Sequence, residues 1–339
     1  MFTFADVPSD FLRPFGSKPA ELVRPLGSPK FDACAVKPER QKSMKRYLPH
    51  LVAFVVIAIW GSTFVFTKLL LLGGLTAAQI FILRFIIAYV LLLGYCLVRG
   101  IRWVADSWRD ELLMAALGVT GGSLYFLTEN SAMIYTTTTN TSIIVSLCPL
   151  FASAIIAVFY KSQRLSRLQT LGTVMAAIGV VVVVMNGHFV LHLSPRGDAL
   201  AFAACLCWAF YSLLMIPATA RYDTVFITRK VFFYGLLSMI PYYIVHPELN
   251  VHLLFDRPEL LCNLLFLGCV ASMLCFLAWN WVLRQLGAVV ATNYVYLNPV
   301  TTIVFAWFLL DEQITSWFIF GTLFILYGMY LVDTRRTNQ

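Results

Sequence analysis

The 339-residue sequence has little charge: Asp, Glu, Lys and Arg make up 12% of it, whereas hydrophobic residues make up 60%. A soluble chain carries about twice that charged fraction. Apolar runs of about 20 residues recur from end to end, and each is long enough to cross a hydrocarbon layer of roughly 30 Å. The runs do not alternate as barrel strands do, so we predict an all-α membrane protein.

Motifs for catalysis and metal binding are also missing. The sequence holds no HExxH zinc motif and no GxSxG nucleophile elbow. Cys205 and Cys207 point to different helix faces, and His188 and His192 have no carboxylate or cysteine at ligand spacing nearby. We therefore expect no metal, no cofactor and no enzymatic activity. An intramembrane enzyme is the alternative from another function class, and a sensor or scaffold is a third.

A long segment of the chain occurs twice. Residues 117–149, moved forward by 150 positions, lie over residues 267–299 with nine identities. At this composition about two or three identities would arise by chance, which indicates an internal repeat. The first repeat is placed at residues 44–187 and the second at residues 197–333.

Glycines recur in the same way. Gly172 and Gly179 correspond to Gly321 and Gly328, each pair seven residues apart. Small residues at such spacing let helices approach closely in membranes. The pattern predicts tight helix packing at these positions rather than contact with a substrate.

The apolar runs predict ten membrane-crossing segments, called spans 1 to 10 below. Each repeat holds five, an odd number, so the second repeat crosses the membrane in the opposite sense from the first. Two inverted five-helix repeats are a transporter architecture, because the halves can exchange conformations around a central site. The spans are residues 48–72, 75–98, 111–134, 138–160, 168–186, 198–217, 229–246, 260–283, 287–310 and 314–332.

The distribution of Lys and Arg predicts the orientation. The two termini and the loops on their side carry 15 of these residues, whereas the opposite loops carry only Arg196 and Arg257. The positive-inside rule therefore places both termini in the cytoplasm. These residues account for most of the net charge of +8, so we do not interpret that charge as a sign of nucleic-acid binding. We expect a lipid bilayer and a small-molecule substrate as partners. Formation of a homodimer is an open alternative to a monomer.

Residues 1–43 differ from the rest of the chain. They hold several prolines and mixed charges, and they lack an apolar run long enough for a signal peptide. We expect them to be disordered or untranslated, because Met44-Lys45-Arg46 before an apolar run is typical of the start of an inner-membrane protein. A regulatory tail is the alternative.

Several short motifs, in the same order in both halves, resemble those of EamA-type permeases of the drug/metabolite transporter superfamily. The resemblance covers about residues 44–333 and implies ten helices and export or exchange of small metabolites, often amino acids or related compounds, in a bacterial inner membrane. Gln163 departs from the acid expected after span 4, and Glu129 is outside the general family pattern. The motifs are Trp60-Gly61-Ser62-Thr63-Phe64, Arg84-Phe85, Pro149, Pro299, and Leu310-Asp311-Glu312-Gln313-Ile314-Thr315 leading into Gly321 and Gly328.

Three charged residues lie within spans, where charge is costly and therefore informative. Lys68, Arg84 and Glu129 fall at similar depth on successive helices, so we expect them to pair. The positive excess would suit a substrate carboxylate, and Glu129 is the candidate for carrying a coupled proton. In the alternative, Lys68 reaches the interface and Arg84 forms a structural ion pair with Glu129.

Polar and aromatic residues complete the candidate transport path. A proline inside a helix leaves the carbonyl four residues earlier without a donor, here Val145 and Val295. Asn130 and Asn280 are repeat equivalents whose amides could bind a substrate. Tolerated kinks and interhelical hydrogen bonds are the alternatives. The predicted path residues are Trp60, Ser62, Thr63, Arg84, Glu129, Asn130, Pro149, Tyr211, Trp279, Asn280, Tyr294, Asn298 and Pro299.

These features predict a transporter that moves a small organic metabolite by alternating access, through efflux driven by a proton gradient or through exchange. The alternative within this class is uptake or exchange of a phosphorylated or nucleotide-linked metabolite. Too few cations lie in the middle of the predicted spans to neutralise a diphosphate.

The orientation can be tested with reporter fusions. Fusions after Tyr160 and Gln339 should report the cytoplasm, and fusions after Gly74 and Pro247 the outside, because the positive charges lie on the side of the termini. A cytoplasmic signal after Pro247 would contradict the inverted repeat.

Overall fold

Helices make up the regular secondary structure of the described residues, as expected where lipid offers no partner for backbone N–H and C=O groups. The computed structural model describes residues 38–136, 138–160, 165–185, 194–249, 251–310 and 316–333. The chain divides into two units, residues 1–48 and 49–339. Residues 38–43, expected to be disordered, begin a helix, and residues 1–37 lie outside the described part.

The structure describes seven α-helices in the first repeat. Thr76 starts the second with a capping box, because its hydroxyl accepts from the Gln79 N–H and the Gln79 side chain accepts from the Thr76 N–H. A π-helical turn, Val119–Leu124, joins the third to the fourth. The helices are α1 (Pro38–Leu72), α2 (Ala77–Val98), α3 (Trp108–Gly118), α4 (Tyr125–Tyr135), α5 (Thr138–Val145), α6 (Cys148–Phe159) and α7 (Arg167–Met185).

Nine α-helices lie in the described part of the second repeat. A π-helical segment, Phe266–Leu274, joins α12 to α13, and a 3₁₀ turn, Tyr294–Leu297, joins α14 to α15. The helices are α8 (Pro195–Arg221), α9 (Thr224–Leu237), α10 (Ile240–Val245), α11 (His252–Asp256), α12 (Pro258–Leu265), α13 (Cys275–Leu286), α14 (Ala288–Asn293), α15 (Asn298–Leu310) and α16 (Ser316–Asp333).

Six helical stretches of the described part are long and apolar enough to cross a membrane, and they correspond to spans 1, 2, 3, 6, 8 and 9. Shorter apolar helices, of 10–17 residues, occupy parts of spans 4, 5 and 10. Crossing by spans 4, 5, 7 and 10 stays a prediction. The six stretches are Tyr47–Leu72, Ala77–Val98, Trp108–Tyr135, Pro195–Arg221, Pro258–Leu286 and Ala288–Phe305.

The helix of span 7 begins at Thr224, earlier than the predicted residue 229. Arg229 and Lys230 were two of the 15 positive charges that predicted the orientation, and both were assigned to a loop. They are instead buried side chains of α9. Lys230 forms an ion pair of 2.7 Å with Glu111. Arg229 donates to the backbone carbonyls of residues 101, 102 and 103, just after α2 ends. Burial is possible because each cation has oxygen acceptors.

Irregular helix geometry recurs at equivalent places in the two repeats. The π turn 119–124, moved by 150 positions, falls on residues 269–274 within the second π segment. Spans 4 and 9 are both interrupted, at Ser146–Leu147 and at the 3₁₀ turn Tyr294–Leu297. The internal repeat is therefore visible in the backbone as well as in the sequence.

The repeated glycines bring α7 and α16 into close contact. A Cβ atom on Gly172 would lie 2.5 Å from the Gly328 carbonyl oxygen, and one on Gly179 would lie 2.7 Å from that of Gly321. Side chains at these positions would force the helices apart. This confirms the packing role predicted for the four glycines.

Substitution by alanine tests this contact. Gly172→Ala and Gly328→Ala should each lower the melting temperature of the purified protein, because backbone atoms block the new methyl group. Gly94→Ala in α2 is the matched control, since nothing lies within 4 Å of its Cβ position. There the substitution should be neutral or stabilise by about 0.5–1 kcal/mol through helix propensity. Equal effects at the three sites would contradict the packing interpretation.

Candidate functional site

A small, partly open cavity lies between the two repeats. We call it the inter-repeat cavity, because spans 1 to 4 and spans 6, 8 and 9 all contribute to its wall. Most of the wall is aromatic or aliphatic, with one cation and one carboxylate. The lining residues are Trp60, Thr63, Phe64, Arg84, Tyr125, Phe126, Glu129, Val145, Cys148, Trp208, Phe276, Val295 and Asn298.

Much of the wall consists of repeat-equivalent residues from the two halves. Trp60 and Trp208 pack edge to face with ring centroids 5.5 Å apart. Phe126 and Phe276, identical in the repeat, are 6.1 Å apart. Two further equivalent pairs line the same cavity, Val145 with Val295 and Cys148 with Asn298. Equivalent residues meet in this way where the two repeats face each other around their pseudo-symmetry axis.

Trp60 is held rigidly in this wall. Its indole Nε1 donates to the backbone carbonyl of Ala271 at 2.9 Å. Its ring also contacts the rings of Phe276 at 5.7 Å and Trp279 at 5.2 Å. Trp279 itself is fully buried behind Trp60 and does not line the cavity.

Arg84 is the cation of the cavity. Its side chain is 2% exposed, its Nε donates to the Ser272 hydroxyl at 2.9 Å, and its guanidinium lies 4.4 Å from the Phe126 ring centroid. Among the described residues, no carboxylate forms an ion pair with it and its two terminal nitrogens donate to no protein acceptor. A buried guanidinium with free donors is costly unless it serves a ligand.

Glu129 supplies the carboxylate. Its Oε1 accepts from the Tyr125 hydroxyl at 2.7 Å, and the residue is 7% exposed. Oε2 accepts from no protein donor within the described ranges. The two opposite charges thus face one space without direct contact.

The structure does not support a pairing of all three charges within spans. The Lys68 ammonium donates to the backbone carbonyl of Met133 at 2.6 Å and does not line the cavity. Arg84 and Glu129 have hydroxyl partners, Ser272 and Tyr125, in place of each other. Lys68 instead satisfies one of the open carbonyls near the end of α4.

The two repeat-equivalent asparagines lie in helix–helix contacts. The Asn280 amide accepts from the Tyr211 hydroxyl at 2.6 Å and donates to the Thr228 hydroxyl at 2.8 Å. This network joins α13 to α8 and α9. Asn130 donates to the carbonyl of Ala77 at 3.3 Å. Neither asparagine is solvent-exposed, and neither they nor Tyr211 line the cavity.

The two prolines begin helices instead of interrupting them. Pro149 lies in the first turn of α6 and Pro299 in the first turn of α15. A proline is tolerated there, because the N–H it lacks would have no partner in that turn. Both prolines are buried outside the cavity wall, whereas Val145 and Val295, four residues earlier, belong to it.

Five of the predicted residues therefore meet in one cavity: Trp60, Thr63, Arg84, Glu129 and Asn298. The structure places eight others outside its wall: Ser62, Asn130, Pro149, Tyr211, Trp279, Asn280, Tyr294 and Pro299. Ser62 donates to the Ile59 carbonyl, and the Tyr294 hydroxyl contacts the His50 ring nitrogen at 2.6 Å. His188, His192, Gln163 and residues 311–315 lie outside the described part.

Sequence reasoning overlooked the apolar half of the wall. Phe126 and Phe276 were among the nine identities of the repeat, and Trp208 corresponds to Trp60 at a shift of 148. Repeat identity was therefore the signal that could have found them. Ser272 had no such signal, because its equivalent is Gly122.

The two asparagine environments predict different mutant behaviour. Asn280→Ala leaves Tyr211 and Thr228 without their buried partner, so it should destabilise the protein by about 1–2 kcal/mol. Asn298→Ala removes a cavity-lining amide whose Oδ1 has no partner, so its melting temperature should change little. Thermal unfolding of both variants in detergent measures this, and the reverse ranking would contradict the assignment.

Comparison with known proteins gives the family. The model of the EamA-like transporter family matches twice, at residues 48–185 and 195–334. A solved crystal structure matches with a TM-score of 0.67 at 18% identity and covers 87% of this chain and 100% of that chain. At this identity the structural likeness concerns the fold alone.

Curated relatives cover most of the chain. An uncharacterized transporter of Archaeoglobus fulgidus is 27% identical over 85% of this chain and 98% of its own. A probable terminal-alkyne amino-acid exporter of Streptantibioticus cattleyicolor is 23% identical over 84% and 93%. A probable amino-acid metabolite efflux pump of Salmonella typhimurium is 24% identical over 83% and 93%. With two matched copies of the family domain, this chain belongs to the EamA-like transporter family and is a multi-pass membrane transporter.

Proposed function

We propose that this transporter exports a small zwitterionic metabolite with an apolar side chain, an amino acid or a related compound, by proton-coupled alternating access. The observation that carries the proposal is the pair of buried opposite charges, Arg84 and Glu129, in one aromatic cavity between the repeats. In this proposal both termini are cytoplasmic, and the membrane is a bacterial inner membrane.

Arg84 would bind the carboxylate of the substrate. A guanidinium donates two parallel hydrogen bonds to a carboxylate, and such charge-assisted bonds are strong where water is excluded. Its terminal nitrogens have no protein acceptor among the described residues. The Phe126 ring below the guanidinium, at 4.4 Å, keeps it in place by cation–π attraction.

The ammonium group of the substrate would lie near Glu129 and the aromatic rings. The free Oε2 of Glu129 is an acceptor, and ring faces attract cations. Trp60, Trp208 and Phe276, which contact one another, would enclose the apolar part of the substrate. The polar end of the substrate would thus contact the first repeat, which supplies both charges.

The names of relatives support this substrate class. Two of them, at 23% and 24% identity, are named as a probable amino-acid exporter and a probable amino-acid metabolite efflux pump. These names support an amino acid or a related compound as the substrate and export as the direction of transport. They do not specify which compound is carried.

Alternating access would use the irregular segments of the helices. Spans 3 and 8 contain π-helical segments, and spans 4 and 9 are interrupted beside cavity-lining residues Val145 and Val295. Such segments are weaker than regular helix and can bend. Because they occur in equivalent positions, the two repeats could exchange their conformations.

A phosphorylated or nucleotide-linked substrate is less favoured. Arg84 is the single cation among the cavity-lining residues that the structure describes, and a phosphate group carries up to two negative charges. No specific observation favours an intramembrane enzyme.

The substrate class can be tested by counterflow into proteoliposomes. We expect labelled aromatic or aliphatic L-amino acids to exchange, and nucleosides, vitamins and sugar phosphates to fail. Counterflow of sugar phosphates without amino-acid exchange would favour the phosphorylated alternative and contradict the proposal.

Replacing Glu129 tests the coupling. Glu129→Gln keeps the size and hydrogen bonding of the side chain but cannot carry a proton, so it should abolish pH-driven accumulation and leave equilibrium exchange largely intact. Asp106→Asn is the control, because Asp106 pairs with Arg102 in an exposed loop at 2.7 Å. Unchanged accumulation with the wild-type pH profile in Glu129→Gln would rule out Glu129 as the proton carrier.

Replacing Arg84 tests substrate binding. Arg84→Ala should abolish exchange of amino acids and also lower stability, because it leaves the Ser272 hydroxyl without its partner and removes the positive charge that shares the cavity with Glu129. Arg84→Lys keeps the charge but not the paired donors, so it should fold and bind amino acids weakly. Wild-type exchange by Arg84→Ala would contradict the proposed role.

A further inference from the structure

We propose that Ser272 is a positioning residue, which holds the Arg84 guanidinium in the orientation that selects a substrate carboxylate. The proposal rests on the function proposed above. Ser272 belongs to the second repeat and Arg84 to the first, and they meet through a hydrogen bond of 2.9 Å between Nε and Oγ. Ser272 itself does not line the inter-repeat cavity.

The backbone brings the two residues together. Gly268 lets the π-helical segment of span 8 approach span 2 closely, because a Cβ atom there would lie 3.2 Å from the Arg84 carbonyl oxygen. Ser272 follows four residues later in the same segment and is fully buried. Its hydroxyl therefore meets the side chain of the residue whose backbone contacts Gly268.

The fold alone does not require this serine. The equivalent of Gly268 is Gly118, which packs in the same way against Tyr234 and Gly235 of span 7. The equivalent of Ser272, however, is Gly122, which has no side chain. Close packing at the equivalent glycines is thus achieved both with a serine and with a glycine four residues later. At that later position the hydroxyl occurs only in the second repeat, where it meets Arg84.

The hydrogen bond determines which nitrogens of Arg84 remain for a ligand. Nε is occupied by Ser272, and the central carbon of the guanidinium lies 4.4 Å from the Phe126 ring centroid. The two terminal nitrogens are then the donors that can reach a substrate, and together they match the two oxygens of a carboxylate. Without Ser272, Nε would be unpaired and the guanidinium could rotate toward other acceptors, including Glu129.

The test compares two compounds that differ by one carboxylate, L-phenylalanine and 2-phenylethylamine, in counterflow by reconstituted full-length protein. We expect Ser272→Ala to raise the half-saturation concentration for L-phenylalanine about tenfold, the size of a lost hydrogen bond to a charged group. Transport of 2-phenylethylamine should stay nearly unchanged. Ser272→Thr keeps the hydroxyl, so it should keep most of the wild-type preference for L-phenylalanine over 2-phenylethylamine.

Ser212→Ala is the matched control, because the buried Ser212 hydroxyl bonds to the Trp208 carbonyl within its own helix at 2.9 Å. It should not change the preference for the carboxylate. In an Arg84→Lys background, which has no Nε donor, Ser272→Ala should have no further effect on the half-saturation concentration.

The outcomes separate the two proposals. If the wild-type protein shows no preference for L-phenylalanine over the amine, the proposed function fails and the role of Ser272 fails with it. If the wild type prefers the carboxylate and Ser272→Ala keeps that preference, or weakens both compounds equally, only the role of Ser272 is overturned. Full additivity of Ser272→Ala with Arg84→Lys would also overturn it.

Discussion

The cost of burying Arg84 is the constraint on which the candidate site depends. A guanidinium inside a membrane protein needs partners for its donors and a polarisable surface for its charge. Here Ser272 takes one donor and the Phe126 ring lies below the charge, so the side chain is held but only partly satisfied. The remaining donors and the Glu129 carboxylate face the same cavity. In the proposed function, this partial satisfaction is the reason that the cavity would bind the charged groups of a substrate.

The site combines a symmetric wall with asymmetric charges. Duplication of one five-helix unit supplies the paired rings and valines, because equivalent residues face each other across the boundary between the repeats. The polar side chains break that symmetry, since the equivalent of Glu129 is Trp279 and the equivalent of Ser272 is Gly122. A symmetric frame is suited to exchanging two conformations, whereas an asymmetric polar end would give the proposed substrate one orientation within it.

Residues at equivalent positions nevertheless have different environments, and this explains where the sequence-based predictions of the site differ from the structure. Asn280 was considered for the transport path, yet its amide lies in a buried network with Tyr211 and Thr228. Lys68 was expected to pair with acids, yet it satisfies a carbonyl of span 3. Polar groups in a membrane interior need partners whether or not they bind a substrate. The sequence shows where a polar residue lies along the chain. Helix rotation and packing decide whether that residue bonds to a neighbouring helix or faces the cavity.

The sequence by itself determined the helical class, the duplication, the glycine contacts of α7 with α16 and the residues Trp60, Arg84 and Glu129 as members of one site. These follow from local rules: apolar run length, repeat identity, residue size and the rarity of charge in lipid. Only the tertiary structure decided that the aromatic pairs enclose the site, that Pro149 and Pro299 begin helices, and that Ser272 holds Arg84 across the two repeats. The physical reason is that the contacts of the site join residues 148 to 188 positions apart, and their geometry depends on how closely two helix backbones approach.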